Sequence, residues 1–166
     1  MRADYIRPFV AAAVDVLKLE FGVDRVERGA LRIETSYYTT QDITAIIGLT
    51  GEIEGTAIYG TSRATARRMV QAVTGTLPPV FDEMAESAFA EFGNVVSGRA
   101  SMLFEQQGLH CTISPPTIVI GRGAIISNVG IQRLIVPLHT PLGELQLAVA
   151  VRGPEDRGHT EGSTET

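Results

Sequence analysis

Positive charge, cysteine and long apolar runs are all scarce in this sequence, and each scarcity removes a class of function. Lys and Arg number 14 against 19 Asp and Glu, giving a net charge of −5. A phosphate backbone rewards clustered positive charge, so a nucleic-acid partner is excluded. The one dense basic group, Arg63, Arg67 and Arg68, falls on an expected helix, where such residues ordinarily form a solvated face. Lysine occurs once, at Lys18, which leaves no phosphate-binding loop ending in Gly-Lys-Ser/Thr. Gly121 and Gly123 lack the remainder of a dinucleotide fingerprint. Cys111 is the sole cysteine, so no intrachain disulfide can form. Within Leu109-His110-Cys111-Thr112-Ile113 it reads as a small buried hydrophobe on a strand. His110, His139 and His159 lie in different segments without ligand spacing, and no resident metal is expected. No run approaches the roughly 18 apolar residues of a membrane span, and the first residues lack a signal-peptide pattern. A cytoplasmic protein with no membrane partner follows as the expectation.

What is present suits one soluble domain. The chain has 166 residues, 44% hydrophobic and 20% charged, enough to bury a sizeable core. Residues 5–21 carry helical apolar periodicity ending at Gly22. Residues 31–38 alternate Leu31, Ile33, Thr35 and Tyr37 against Arg32, Glu34, Ser36 and Tyr38, the pattern of a half-buried strand. Residues 43–49 and 53–59 flank Thr50-Gly51-Glu52 and predict a hairpin. Thr61 or Ser62 caps a helix over residues 63–73, with Gly75 past its end. After the rigid break Thr76-Leu77-Pro78-Pro79 comes a long helix over residues 81–107, closed by Gly108. Residues 109–114 and 117–120 read as extended, and residues 130–138 and 144–151 as a second hairpin. Residues 153–166 have little to bury and predict a disordered tail. The order suggests an α+β fold occupying residues 1–152: an antiparallel sheet with helices on one face. Its two pseudo-symmetric halves each comprise a helix and about three strands, with one helix of each half side by side on the sheet.

The long helix organises the rest. At about 100° per residue, Met84, Ala85, Ala88, Phe89, Phe92, Val95, Val96, Met102 and Leu103 form an apolar arc expected to face the core. Ser87, Glu91 and Asn94 line up opposite within roughly a 60° sector and about 10 Å of axial rise. Spacing by itself favours an ordinary solvated face. Yet Gly93 and Gly98 each cost the helix about 0.8–1 kcal/mol relative to Ala, and sequence that opposes its own secondary structure marks functional or close-packed sites. Gly98 shares the sector of the triplet, so a second surface could approach closely there; helix packing within the fold would explain the glycines equally well.

Ser87-Ala88-Phe89-Ala90-Glu91-Phe92-Gly93-Asn94 resembles the (Asp/Ser)-x-x-x-Glu-x-x-Asn signature of the CheC/CheX/FliY family of chemotaxis phosphatases. Ile47-Gly48-Leu49-Thr50-Gly51 with Gly55, Ser97-Gly98, and Ser114-Pro115-Pro116-Thr117 are similar to that family in the same order, so the resemblance covers about residues 5–152. It implies hydrolysis of the aspartyl phosphate of a CheY-like response regulator. In that role Asn94 would orient the attacking water, Glu91 would pair with the regulator's lysine, and Ser87 would be the supporting polar position. No cofactor would be bound by this chain; Mg²⁺ would sit on the phosphorylated receiver. The first helix contains no asparagine, so the resemblance implies one site per chain, as in CheX, and a homodimer whose sheets join at their edges. The second reading is a non-catalytic receiver-binding or scaffolding domain that retains the fold.

Overall fold

Helix boundaries in the computed structural model, which describes residues 3–34 and 37–157, fall where local chemistry puts them. After one 3₁₀ turn (Ala3–Tyr5), α1 spans Arg7–Glu20, with Pro8 in its first turn, where a missing amide costs no hydrogen bond. α2 (Arg63–Thr74) begins on Ser62, whose Oγ accepts from the Thr65 amide, and stops at Gly75, whose amide returns to the Gln71 carbonyl at φ 83°. Only glycine takes that backbone conformation without steric penalty. α3 (Glu83–Gln106) begins on Asp82, whose carboxylate accepts from the Ala85 amide at 3.0 Å.

Among the described residues ten strands accompany the helices: β1 (Glu27–Arg28), β2 (Arg32–Glu34), β3 (Tyr37–Thr39), β4 (Ile43–Gly51), β5 (Glu54–Thr61), β6 (Cys111–Ile113), β7 (Thr117–Ile120), β8 (Ile125–Ser127), β9 (Arg133–Thr140) and β10 (Gly143–Arg152). All pairings are antiparallel. The main sheet runs β1-β9-β10-β5-β4-β6, with β2 beside β1 along β9 and β7 beside β6 along β4. Each half is therefore a helix, a two-piece edge strand, a short ribbon strand and a hairpin. The hairpins β4–β5 and β9–β10 pair internally, but the edge strands are exchanged: β1 and β2 cover β9, while β6 and β7 cover β4. The α+β class, the antiparallel sheet and the pairing of one helix from each half agree with expectation. The strand count does not, because each half holds five strands rather than about three.

Side-chain alternation divides the interior in two. Ile43, Ala45, Ile47 and Leu49 of β4, Ala57 and Tyr59 of β5, and Leu145, Leu147, Val149 and Val151 of β10 face the helices. There α1 and α3 lie side by side, locked by edge-to-face rings: Phe9 on Phe104 at 5.7 Å and Phe21 on Phe92 at 5.6 Å. The opposite parity, Ile58, Ile135 and Ala148, packs with Tyr38 under a separate β3–β8 ribbon. The strand expected over residues 31–38 is thus two elements in different sheets. Tyr37 is exposed and Tyr38 buried because the ribbon sets the phase there, whereas Leu31 and Ile33 are exposed at the edge of the main sheet, Ile33 opposite Leu134 on its helix-facing side. Arg133 is fully buried in this second core. Its guanidinium lies over the Tyr38 ring, and Nη2 donates to Asn128.

The chain end also departs from expectation. Residues 153–157 are not a loose tail: Gly153 is buried and Pro154–Arg157 form one helical turn, α4. Arg157 donates to the Gly51 and Glu52 carbonyls at the tip of the first hairpin. The remainder of the expected tail lies outside the described residues.

Candidate functional site

α3 rests on the sheet through a seam of Ala85, Phe89, Phe92, Gly93, Val96, Ser97, Ala100 and Phe104, all buried. Four of these belong to the expected arc, but Met84 and Met102 do not join them: they are 60% and 62% exposed. The helical wheel explains the correction, since at about 100° per residue both methionines fall within about 20° of Glu91.

Three contacts fix the rotation of α3 about its axis. Phe92 wedges edge-on between Phe21 and Tyr59, the latter pair at 5.9 Å. Tyr59 Oη and Ser97 Oγ form a buried hydrogen bond of 2.8 Å. Gly93 lies flat on the sheet, where a methyl group would come within 3.0 Å of Ile47 Cδ1 and 3.2 Å of Tyr59 Cδ2. The Tyr59–Ser97 pair is not among the sequence expectations. Its signal is a serine set between Val96 and Ala100 in the buried seam, where a hydroxyl needs a partner.

With the seam so fixed, Ser87 and Glu91 are exposed and Asn94 is half-buried. None of the three side chains makes a hydrogen bond or ion pair with a described residue. The carboxylate and the carboxamide stand one turn apart on a ridge, with donor and acceptor capacity uncommitted. Gly98 extends the ridge. A methyl there would meet only Ile113 Cδ1, at 3.8 Å, so the two glycines separate: Gly93 serves packing and Gly98 leaves open space.

The distant motif pieces meet behind this helix. The Gly48 amide donates to Ser114 Oγ at 2.8 Å and the Ser114 amide to the Gly48 carbonyl at 2.9 Å, just before Pro115-Pro116 divides β6 from β7. Ser101 Oγ of α3 donates to the Cys111 carbonyl at 2.8 Å, tying the helix to the same edge. Cys111 itself is buried, and burial raises its thiol to about 11, the environment of an inert side chain. His110 and His139 sit beside Glu105 and Glu144, at 3.5 and 3.3 Å, on separate parts of the surface; His159 lies outside the described residues. Among the described residues no group of three His, Cys, Asp or Glu could hold a metal ion, and no helix is long and apolar enough to cross a membrane.

A family model described as chemotaxis phosphatase CheX matches residues 43–139, a span that contains the whole ridge. The chain belongs to the CheX family. The CheY-P phosphatase CheX of Thermotoga maritima is 41% identical over 90 residues, 54% of this chain and 58% of that protein, so the match spans little more than half of the relative. Structural likeness runs further. A CheC-like superfamily protein from Shewanella superposes with a TM-score of 0.83 at 22% identity, covering 92% of this chain and all of that one. A chain of the CheX–CheY–BeF3–Mg²⁺ complex from Borrelia burgdorferi gives a TM-score of 0.76 at 29% identity, over 91% of this chain and 99% of that one. CheX membership agrees with the resemblance drawn from residues 87–94.

Proposed function

We propose that this chain is a cytoplasmic phosphatase that hydrolyses the aspartyl phosphate of a CheY-like response regulator, with the α3 ridge entering the regulator's phosphorylated site. The observation that carries the reading is the pairing of Glu91 and Asn94, outward-facing and without a partner of their own, in a member of the CheX family. Phosphoryl transfer asks chiefly for an in-line nucleophile and neutralised charge. The Asn94 amide can hold a water by one group while its other group binds the surroundings. That water's oxygen bonds to phosphorus as the bond to the aspartyl oxygen breaks, leaving a free aspartate carboxylate and dihydrogen phosphate, which carries both of the water's protons. Glu91, acceptor-only when ionised, suits a lysine ammonium better than it suits activating water. Ser87 supports from the preceding turn. In this reading the chain binds no cofactor, and the Mg²⁺ belongs to the receiver.

The test is the decay of a phosphorylated receiver with and without the protein. Wild type accelerates decay. Asn94→Ala lowers the catalysed rate about 10²-fold or more at saturating receiver, while Glu91→Ala raises the receiver concentration required. Asn94→Ala at wild-type rate removes that residue from the mechanism. Binding of the receiver without turnover by the wild-type chain would support the scaffolding reading instead.

We further propose a homodimer, because Leu31, Ile33, Tyr37, Ile125 and Val129 are all exposed around the β3–β8 ribbon and its neighbouring edge. Light scattering on wild type and Ile125→Asp checks it: a dimer that the aspartate converts to monomer is expected, and a monomeric wild type contradicts it.

A further inference from the structure

Among the described residues, four of the twelve exposed large apolar side chains (Val73, Leu77, Val80 and Met84) lie on the corner between α2 and α3, away from Tyr37 and Ile125 of the β3–β8 ribbon. We infer that this α2–α3 corner, with Val80 and Met84 at its tip, is an apolar docking surface for the phosphorylated receiver and sets which receiver the enzyme accepts. The inference rests on the receiver-phosphatase reading and extends it from the reacting groups to the residues that select the partner.

Three observations support it. The corner is anchored rather than loose: Arg67 Nε donates to the Pro78 carbonyl at 2.7 Å, the Arg63 guanidinium lies over the Phe81 ring at 5.9 Å, and Thr74 Oγ1 accepts from the Thr76 amide. Yet Val80 is 63% exposed and Met84 60%, so the anchoring holds apolar tips out in water. A preformed patch of this kind binds without first paying to order itself, and methionine adapts to varied partner surfaces.

The second observation is continuity. Met84 shares the solvent sector of Glu91 and stands seven residues, about 10 Å, along the same helix. The third is area. A standard interface buries about 800 Å² per partner, a patch of about 16 Å radius. Centred between Glu91 and Asn94, such a patch takes in Met84 at one end and Met102, also exposed, at the other. A receiver placed for its phosphoaspartate to reach Asn94 therefore covers Met84, the end of the corner that joins the ridge. Polar groups along the ridge perform the chemistry, and apolar groups at its margin discriminate among receivers that share the same phosphorylated site.

The experiment uses the full chain and a CheY-type receiver from the same genome, phosphorylated with acetyl phosphate, in steady-state dephosphorylation. Val80→Ser/Met84→Ser is expected to raise KM about tenfold or more and to leave kcat within about twofold. Asn94→Ala is expected to lower kcat. Both serines replace exposed side chains, and a wild-type thermal midpoint checks that the double variant is folded; Leu77→Ser serves as a second probe of the same corner. An inactive Asn94→Ala beside an unchanged KM in both corner variants overturns this inference and leaves the parent reading intact. A fully active Asn94→Ala, or no acceleration by wild type, overturns the parent reading and the inference together.

Discussion

Replacing Gly98 by alanine should make the protein more stable and a poorer partner at once. The added methyl meets only Ile113 Cδ1, at an ordinary 3.8 Å, so nothing in the fold opposes the gain in helix propensity of about 0.8–1 kcal/mol. For a domain of this size that raises the thermal midpoint by about 2–4 °C. The same methyl projects from the ridge beside Asn94. If the receiver packs there, an extra methylene-sized group costs about 1–3 kcal/mol, or about a 5- to 150-fold rise in KM. Gly93→Ala is the control: its methyl would lie 3.0 Å from Ile47 Cδ1 and 3.2 Å from Tyr59 Cδ2. Tyr59 cannot give way easily, being held by Ser97 and Phe92. Overpacking of about 1–3 kcal/mol then meets or exceeds the propensity gain, and stability stays level or falls by up to about 2 kcal/mol. Thermal melts and steady-state dephosphorylation on the two variants decide the matter. A Gly98→Ala protein with a higher midpoint and an unchanged KM refutes close approach at Gly98; a lower midpoint refutes the claim that the position is open.

Further outcomes follow from single interactions. Tyr59→Phe strands the buried Ser97 hydroxyl and should lower unfolding free energy by about 1–3 kcal/mol, while Tyr59→Phe/Ser97→Ala recovers most of it; denaturant midpoints at constant slope test this, and a double variant as unstable as the single contradicts it. Asp42 is held below its ordinary pKa by the Arg63 amide and then by Arg122, and Glu54 by Arg152. Both carboxylates are depressed in the fold, so their contribution is complete above about pH 4–5 and disappears as pH falls through the lowered values. Asp42→Asn/Glu54→Gln should flatten that acid limb in pH-dependent melts; an unchanged slope would show that other carboxylates govern it.

How much of this was legible in the sequence depended on where each signal resides. Ser62, Gly75 and Gly108 act on their own neighbours, so the helix limits could be read directly. The two hairpins could be read because long alternating strands carry their own pattern. Edge pieces such as Glu27–Arg28 and Ile125–Ser127 are strands only because β9 and β3 lie beside them, and nothing local announces that. Tyr38 is buried while Tyr37 is exposed, because a ribbon contributed jointly by both halves sets the phase there. The ridge was visible through the spacing of Ser87, Glu91 and Asn94. The exposure of Met84 and Met102 was not, since an apolar side chain argues for the core while its wheel position, within about 20° of Glu91, argues for solvent.

The exchange of edge strands has a bearing on how this molecule can be made and broken. Residues 3–75 expressed alone would carry a hairpin stripped of its cover and three short strands with nothing to pair with, and residues 76–157 would be in the mirror predicament. Neither fragment closes its own sheet, so cutting the chain between Gly75 and Thr76 should give two sticky, poorly folded pieces. Mixed together, they should reconstitute one particle, because each carries what the other is missing. The ridge on α3 is therefore the property of neither half: it is aimed by Tyr59 from one and Ser97 from the other, and it exists only when both are present.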